Sequence, residues 1–157
     1  MKTALVTGAS GGIGKAICLS LEAEGIKVCK TSTSTEDGII ADLRYDVNHL
    51  CHAVLREIGV PDIIINSAGI LPKGKLDETT DEQIQDAFHV NVIAPIRIIR
   101  FFLPQMMERK SGYIINIGSS SAYEGAAAKR TIYSATKHAI LGFTRALADE
   151  VWEYGIR

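Results

Sequence analysis

Cysteine is scarce in this chain, and no spacing makes use of what there is. Three residues among 157, Cys18, Cys29 and Cys51, are odd in number, far apart and without a CxxC pair. A disulfide framework is therefore not expected, and the set suits a reducing, cytoplasmic setting. Net charge is nearly absent as well: 17 Lys and Arg against 18 Asp and Glu leave −1, with no basic run. Such a surface offers no general field for nucleic acid or an anionic membrane. Long apolar runs are missing too, since no window reaches the roughly 18 uninterrupted apolar residues of a membrane span. The first apolar stretch, residues 4–7, stops at Gly8, too soon for the core of a secretory signal. With 46% hydrophobic and 22% charged residues, the expectation is one soluble domain over 1–157 that acts on a small molecule.

Apolar strands alternate with helical patterns. Strands are expected at 3–7, 27–31, 38–41, 62–66 and 113–118, and helices at 14–24, 47–58, 81–93, 96–108 and 132–154, with Pro95 breaking the third helical stretch from the fourth. Strands apolar on both faces, alternating with helices, indicate the α/β class: a doubly wound, Rossmann-like parallel sheet in three layers. One interval is unusually short. Only residues 32–37 separate the second and third strands, where a parallel crossover normally takes a dozen or more residues and a helix. A lost crossover helix is the expectation. His49, Cys51 and His52 have metal-like composition, but no fourth ligand accompanies them, so they read as ordinary helix residues and no metal is expected.

The first strand runs into Thr7, Gly8, Ala9, Ser10, Gly11, Gly12, Ile13 and Gly14, which open directly into a helix. Glycine permits the tight turn and lets backbone approach a pyrophosphate, while the helix N-terminus offers unpaired N–H groups and a positive dipole end. The spacing is GxxxGxG, which differs from the usual dinucleotide fingerprint. Far along the chain, Lys137 stands four residues after Tyr133, so both side chains leave one helical face. A phenol is a poor proton donor or acceptor at neutral pH, and a neighbouring ammonium favours its charged form.

These residues resemble the signatures of the short-chain dehydrogenase/reductase family, and they occur in its order. The turn at Gly8, Gly12 and Gly14 is similar to its cofactor motif. Asn66, Ser67, Ala68 and Gly69 look like its NNAG motif, Asn91 takes its helical asparagine position, and Tyr133 with Lys137 forms its YxxxK. Ser119, after the last strand, resembles its active-site serine, although Ser120 suits the separation from the tyrosine slightly better. Residues 27–34 and 116–119 also resemble the 3-oxoacyl-carrier-protein reductases of the family.

The resemblance implies a hydride transfer between NAD(P)(H) and a small carbonyl or alcohol substrate. Tyr133 would be the general acid/base, Lys137 would also hold the nicotinamide ribose, Ser119 would orient the carbonyl, and Asn91 would anchor a water of the proton relay. It places the dinucleotide on Gly8, Ser10, Gly11, Gly12, Ile13, Gly14, Thr31, Ser32, Asp42, Leu43, Asn66, Ala68, Gly69, Tyr133 and Lys137. Asp42 and the Leu43 N–H would meet the adenine, and Asn66, Ala68 and Gly69 its ribose.

Cofactor choice turns on the end of the second strand, where an acid would bind the ribose 2′-hydroxyl. Thr31, Ser32 and Thr33 stand there, with no acid until Glu36; these hydroxyls and Lys30 favour NADP(H) over NAD(H), whereas Gly11 occupies a place where NADP-binding relatives often carry Arg or Lys. The resemblance further implies a homodimer or homotetramer through 81–108 and the last helix. It also implies C-terminal strands and a substrate loop beyond residue 157, so a longer functional protein is expected. A catalytically silent nucleotide-sensing or interaction protein on the same fold is the alternative.

Overall fold

Short runs of isoleucine and valine make the strands, because branched side chains suit the pleated, twice-covered surface of a parallel sheet. In the computed structural model, which describes residues 1–34, 38–72, 74–123 and 128–157, these runs form β1 (Thr3–Thr7), β2 (Lys27–Ser32), β3 (Ile39–Ile40), β4 (Ile63–Asn66) and β5 (Tyr113–Asn116). They lie in the order β3-β2-β1-β4-β5, and all neighbours are parallel. The helices between them are α1 (Gly12–Ala23), α2 (Val47–Ile58), α3 (Asp81–Phe88), α4 (Ala94–Glu108) and α5 (Thr131–Val151).

Alternate strand residues point to opposite faces, and the two faces bury different helices. Leu5, Cys29 and Ile64 meet Val47, Leu50 and Val54 of α2, Ile98, Phe102 and Met106 of α4, and Leu147 and Val151 of α5. Val6 and Ile65, one residue further along their strands, meet Cys18, Ile17 and Leu21 of α1. The result is the three-layer, doubly wound α/β sandwich expected from the alternation of elements. Strand order reverses at β1, so the loops after β1 and β4 diverge there and open a crevice at the carboxyl ends of the strands.

Two local expectations are corrected. The helical stretch 81–108 does not break at Pro95. α3 passes through a π turn (His89–Ile93) straight into α4, whose first turn contains Pro95. Pro95 has no N–H to give the helix, and it follows directly on the π turn, where the ladder has already shifted to bonds five residues back, as from Ala94 to His89. The third strand is a two-residue pairing, Thr31 beside Ile39 and Ser32 beside Ile40. Positions 33–38 make the whole crossover to it; the described ones, Thr33, Ser34 and Gly38, are in no helix.

At the other edge, Ile156 pairs in parallel with Gly112. The Ile114 N–H donates to the Arg157 carbonyl at 2.7 Å and the Arg157 N–H to Gly112 at 3.0 Å, so residues 156–157 run beside β5. On β5 itself Tyr113 and Ile115 are 49% and 44% exposed. The helical stretch Asp81–Glu108 is long and apolar enough to cross a membrane, but half of it is buried in this fold, as a core helix would be.

Candidate active site

A groove of about 460 Å³ lies over the carboxyl ends of β1, β2 and β4. Gly8, Ser10 and Gly11 form one wall, Thr31, Ser32 and Thr33 another, Ala41–Arg44 and Ser67–Ile70 the floor and far side, and Asp86 and Val90 close it from α3 and the π turn. Gly8 takes φ +67°, and a Cβ there would stand 2.7 Å from the Ala68 Cα; at Gly14 a Cβ would collide with the Gly8 carbonyl. Both glycines are thus required for the turn to close on the loop after β4. That loop is held from beneath by Thr7, whose hydroxyl accepts from the Ser67 and Ala68 N–H groups at 3.1 Å each.

The fit of a dinucleotide to this cradle can be judged from what it leaves unpaired. The N-terminus of α1 has no side-chain cap and no acidic residue in its first turn, which leaves amide donors and a positive dipole end for an anion. Thr31 Oγ1 is buried without a protein partner, and Thr31 lines the groove. Buried hydroxyls are normally satisfied, so a ligand polar group fits here. The residues present suit a pyrophosphate-bridged nucleoside.

The second half of the site stands on α5. Lys137 is buried and its Nζ donates to the Ile117 carbonyl at 2.7 Å, just past β5. The same ammonium lies 5.7 Å from the centre of the Tyr133 ring. Burial pushes the Lys137 ammonium below its usual value, because desolvation disfavours the charged form. Ser119 caps a 3-10 turn (Ser120–Ala122), its hydroxyl accepting from the Ser121 N–H at 3.2 Å. The Ser134 hydroxyl donates to the Ser121 carbonyl at 2.7 Å, which fastens the serine turn to the start of α5.

Asn91 sits buried within the π turn. Its Oδ1 accepts from the Ile70 N–H at 2.8 Å, and its Nδ2 donates to the Ile70 carbonyl at 2.9 Å and to Thr136 Oγ1 at 3.0 Å. One amide therefore ties the groove's far wall to the tyrosine helix. Thr136, fully buried, donates a hydrogen bond from its hydroxyl to the Tyr133 carbonyl at 2.7 Å.

The residues named from the sequence divide as follows. Gly8, Ser10, Gly11, Thr31, Ser32, Asp42, Leu43, Ala68 and Gly69 line the groove. Gly12, Ile13 and Gly14 build the first turn of α1 beside it. Asn66 is buried and joins the ends of β4 and β5, donating to Asn116 Oδ1 at 2.9 Å. Asn91, Ser119, Tyr133 and Lys137 lie outside the groove's lining: Lys137 reaches the Ile117 carbonyl past the end of β5, and Asn91 bonds to Thr136, which precedes Lys137 on α5. Lys30, expected to help with a phosphate, pairs with Glu22 of α1 at 2.7 Å, having left β2 on the face opposite Thr31. Glu36 lies outside the described residues. His52 packs edge-on against Phe101 while Cys51 is buried under α2, as ordinary helix residues do.

Sequence reading missed Ala41, Arg44, Ile70, Asp86 and Val90 in the wall. Arg44 Nη2 lies 2.6 Å from Asp42 Oδ2, and its Nη1 3.0 Å from Asp86 Oδ2. Hydrogen bonds from the Arg44 side chain hold the Asp42 carboxyl below the usual carboxylate range. The signal was there only in part: Arg44 is two residues after Asp42, but nothing in the chain announces that Asp86 meets it.

Known proteins resemble this chain over nearly all of it. An NADPH-dependent pterin aldehyde reductase of Arabidopsis thaliana is 35% identical, covering 97% of this chain and 70% of its own. A 3-oxoacyl-[acyl-carrier-protein] reductase, FabG, of Vibrio cholerae is also 35% identical, with 99% and 69% covered. Among solved structures, a short-chain dehydrogenase from Streptomyces avermitilis superposes with a TM-score of 0.93 at 36% identity, covering 99% of this chain and 62% of its own. A 4-hydroxyisoleucine dehydrogenase complexed with NADH gives a TM-score of 0.93 at 28% identity, with 100% and 72% covered. The chain thus spans between 62% and 72% of the length of these proteins. The family model described as short chain dehydrogenase matches residues 2–157. With that match on top of the glycine turn, the parallel sheet and the Tyr133–Lys137 pair, the chain belongs to the short-chain dehydrogenase family.

Proposed function

We propose that this chain forms the cofactor-binding and proton-transfer part of an NAD(P)(H)-dependent oxidoreductase that interconverts small carbonyl compounds and alcohols. The observation that carries the reading is the Lys137 ammonium, buried and fixed on the Ile117 carbonyl within 5.7 Å of the Tyr133 ring. When bound, the nicotinamide supplies or accepts the hydride. Gly8, Ser10, Gly11 and the α1 N-terminus hold the pyrophosphate, and Ala68 and Gly69 lie against a ribose. Tyr133 gives its phenolic proton to the oxygen of a carbonyl substrate, or takes one from an alcohol, and Lys137 stabilises the phenolate in between. Ser119 orients that oxygen; it is half-buried and caps the turn, whereas Ser120 is exposed. The Asn91 amide is committed to Ile70 and Thr136. Pro95 has no N–H for the Asn91 carbonyl four residues back, so we assign the relay water to that carbonyl.

Thr31, Ser32 and Thr33 give the groove hydroxyls where a 2′-phosphate would sit, which supports NADP(H) over NAD(H). A homodimer or homotetramer through the stretch Asp81–Glu108 and α5, in a cytoplasmic setting that keeps the three free thiols reduced, completes the reading. The experiment is NADPH oxidation against a panel of ketones, aldehydes and acyl thioesters, with Y133F as control. Turnover should fall about 10²–10⁴-fold in Y133F, the usual contribution of a general acid. Undiminished turnover in that variant would overturn the assignment of Tyr133. A second reading, a nucleotide sensor without turnover, is favoured by one fact: the groove's lining stops short of Tyr133. Dinucleotide binding with no oxidation of NADPH by any substrate of the panel would select it.

A further inference from the structure

We infer that Thr144 and Asn116 are positioning residues for the proton-transfer pair: their hydrogen bond fixes the register of α5 against the end of β5, and so sets where the Lys137 ammonium stands. The inference rests on the role proposed above for Lys137 and extends it to side chains outside the groove. Lys137, Ile140, Leu147 and Val151 are all buried on α5, at spacings that put them on one stripe, with Thr144 in its middle. Leu147 and Val151 belong to the same core as Ile64 and Ile114 of the sheet. Apolar contact of this kind has no direction, and the fit here is loose. A cavity of about 50 Å³ separates the two elements, with Ile114 and Asn116 on one side and Thr144, Leu147 and Val151 on the other. A helix held by such a stripe alone could slide or turn at small cost. A hydrogen bond, which weakens steeply with distance and angle, admits one register.

The bond is also fixed in direction. The Thr144 hydroxyl donates its one proton to the Ile140 carbonyl at 2.7 Å, so toward the sheet it can only accept. Asn116 Nδ2 donates to it at 2.9 Å. That orientation leaves Asn116 Oδ1 to accept from Asn66 Nδ2, also at 2.9 Å. Asn66 and Asn116 are register partners on β4 and β5, so three side chains in series run from inside the sheet to the helix. The next residue, Ile117, donates its N–H to the Asn66 carbonyl at 3.1 Å and accepts Lys137 Nζ at 2.7 Å on its own carbonyl. Two adjacent positions of the chain therefore hold α5 at two points. Asn116 takes Thr144, and Ile117 takes Lys137 two helical turns earlier. Releasing the first point frees the helix to move relative to the second, and Tyr133 moves with it.

The test follows the Lys137 amine itself. Burial holds it below the usual lysine value, and a retreat of α5 from β5 would admit water. The full chain, isotope-labelled at lysine, is titrated by NMR from pH 7 to 10.5 in wild type, T144V and T144S, with the Lys137 signal assigned by K137M. Wild-type Lys137 should titrate below the exposed lysines. In T144V, which keeps the shape and removes the hydroxyl, its midpoint should rise toward theirs by about half a pH unit or more, and T144S should restore it. In NADPH oxidation with the carbonyl panel, T144V should lose about tenfold in kcat while its Kd for NADPH stays within about twofold, because Thr144 is not in the groove's lining.

An unchanged Lys137 midpoint in T144V would overturn the inference even if the variant were less stable, since the bond would then hold the fold and not the ammonium. If T144V does not fold, T144A takes its place under the same criterion. Should wild type turn over no substrate while the midpoint rises in the variant, the proposed function falls and the positioning stands. Should wild type turn over and the variant match it in kcat, the role of Thr144 falls and the function stands.

Discussion

Thr136 is buried in a helix interior, and its hydroxyl bonds in two directions at once, accepting from Asn91 Nδ2 and donating to the Tyr133 carbonyl. A threonine inside a helix gains little from a bond to its own backbone; the cross-link to the π turn is what the position provides. T136V keeps the shape and removes both bonds, which leaves the buried Asn91 N–H with one acceptor fewer. Such a loss costs roughly 1–3 kcal/mol, so urea unfolding should show a lower midpoint at unchanged slope, and T136S should restore it. Equal stability of T136V and wild type would show that the Asn91–Thr136 bond holds nothing in place. At this scale the sequence was informative about chemistry and blind to context. Tyr133, Lys137 and Asn91 could be named from spacing and resemblance, but the threonine between them, which joins one to another, carries no pattern of its own.

The elements were largely legible because each one satisfies a local rule. α2 (Val47–Ile58) has Leu50, Val54 and Ile58 on one stripe, and β1 is the apolar run Ala4, Leu5 and Val6 between two threonines. Where the elements differ from expectation, a non-local partner decided the outcome. The third strand, expected at 38–41, is reduced to the two residues Ile39 and Ile40 that pair with Thr31 and Ser32, and the helix expected to break at Pro95 runs on through the π turn around Asn91. The interface between β2 and α2 makes a prediction of its own. Burial there pushes the Cys29 thiol up to about 12 and the Cys51 thiol up to about 11, from an ordinary value of 9.0.

Above pH 9 the unfolded chain therefore releases protons that the folded one keeps. Stability contributed by these thiols is complete below pH 9 and is lost as pH rises toward 12. Thermal melts across pH 8 to 11 should show a shallower alkaline decline for C29A C51A than for wild type. Identical slopes would contradict the burial of the two thiols.

At the scale of the whole molecule, the alternation of strands and helices announced a doubly wound parallel sheet but not its strand order, and the crevice follows from the reversal at β1. The glycine turn announced itself in the sequence because it is contiguous. The far wall did not, since Asp86 reaches Arg44 only once α3 has folded back over the sheet. What the molecule is for therefore rests on whether that crevice holds a dinucleotide. The most direct measurement is calorimetric titration of NADPH into wild type and G14A. Wild type should bind one equivalent per chain. G14A, whose Cβ would collide with the Gly8 carbonyl and displace the turn, should bind at least about tenfold more weakly, a loss of 1.4 kcal/mol or more. No heat of binding in wild type, or equal affinity in G14A, would contradict the account.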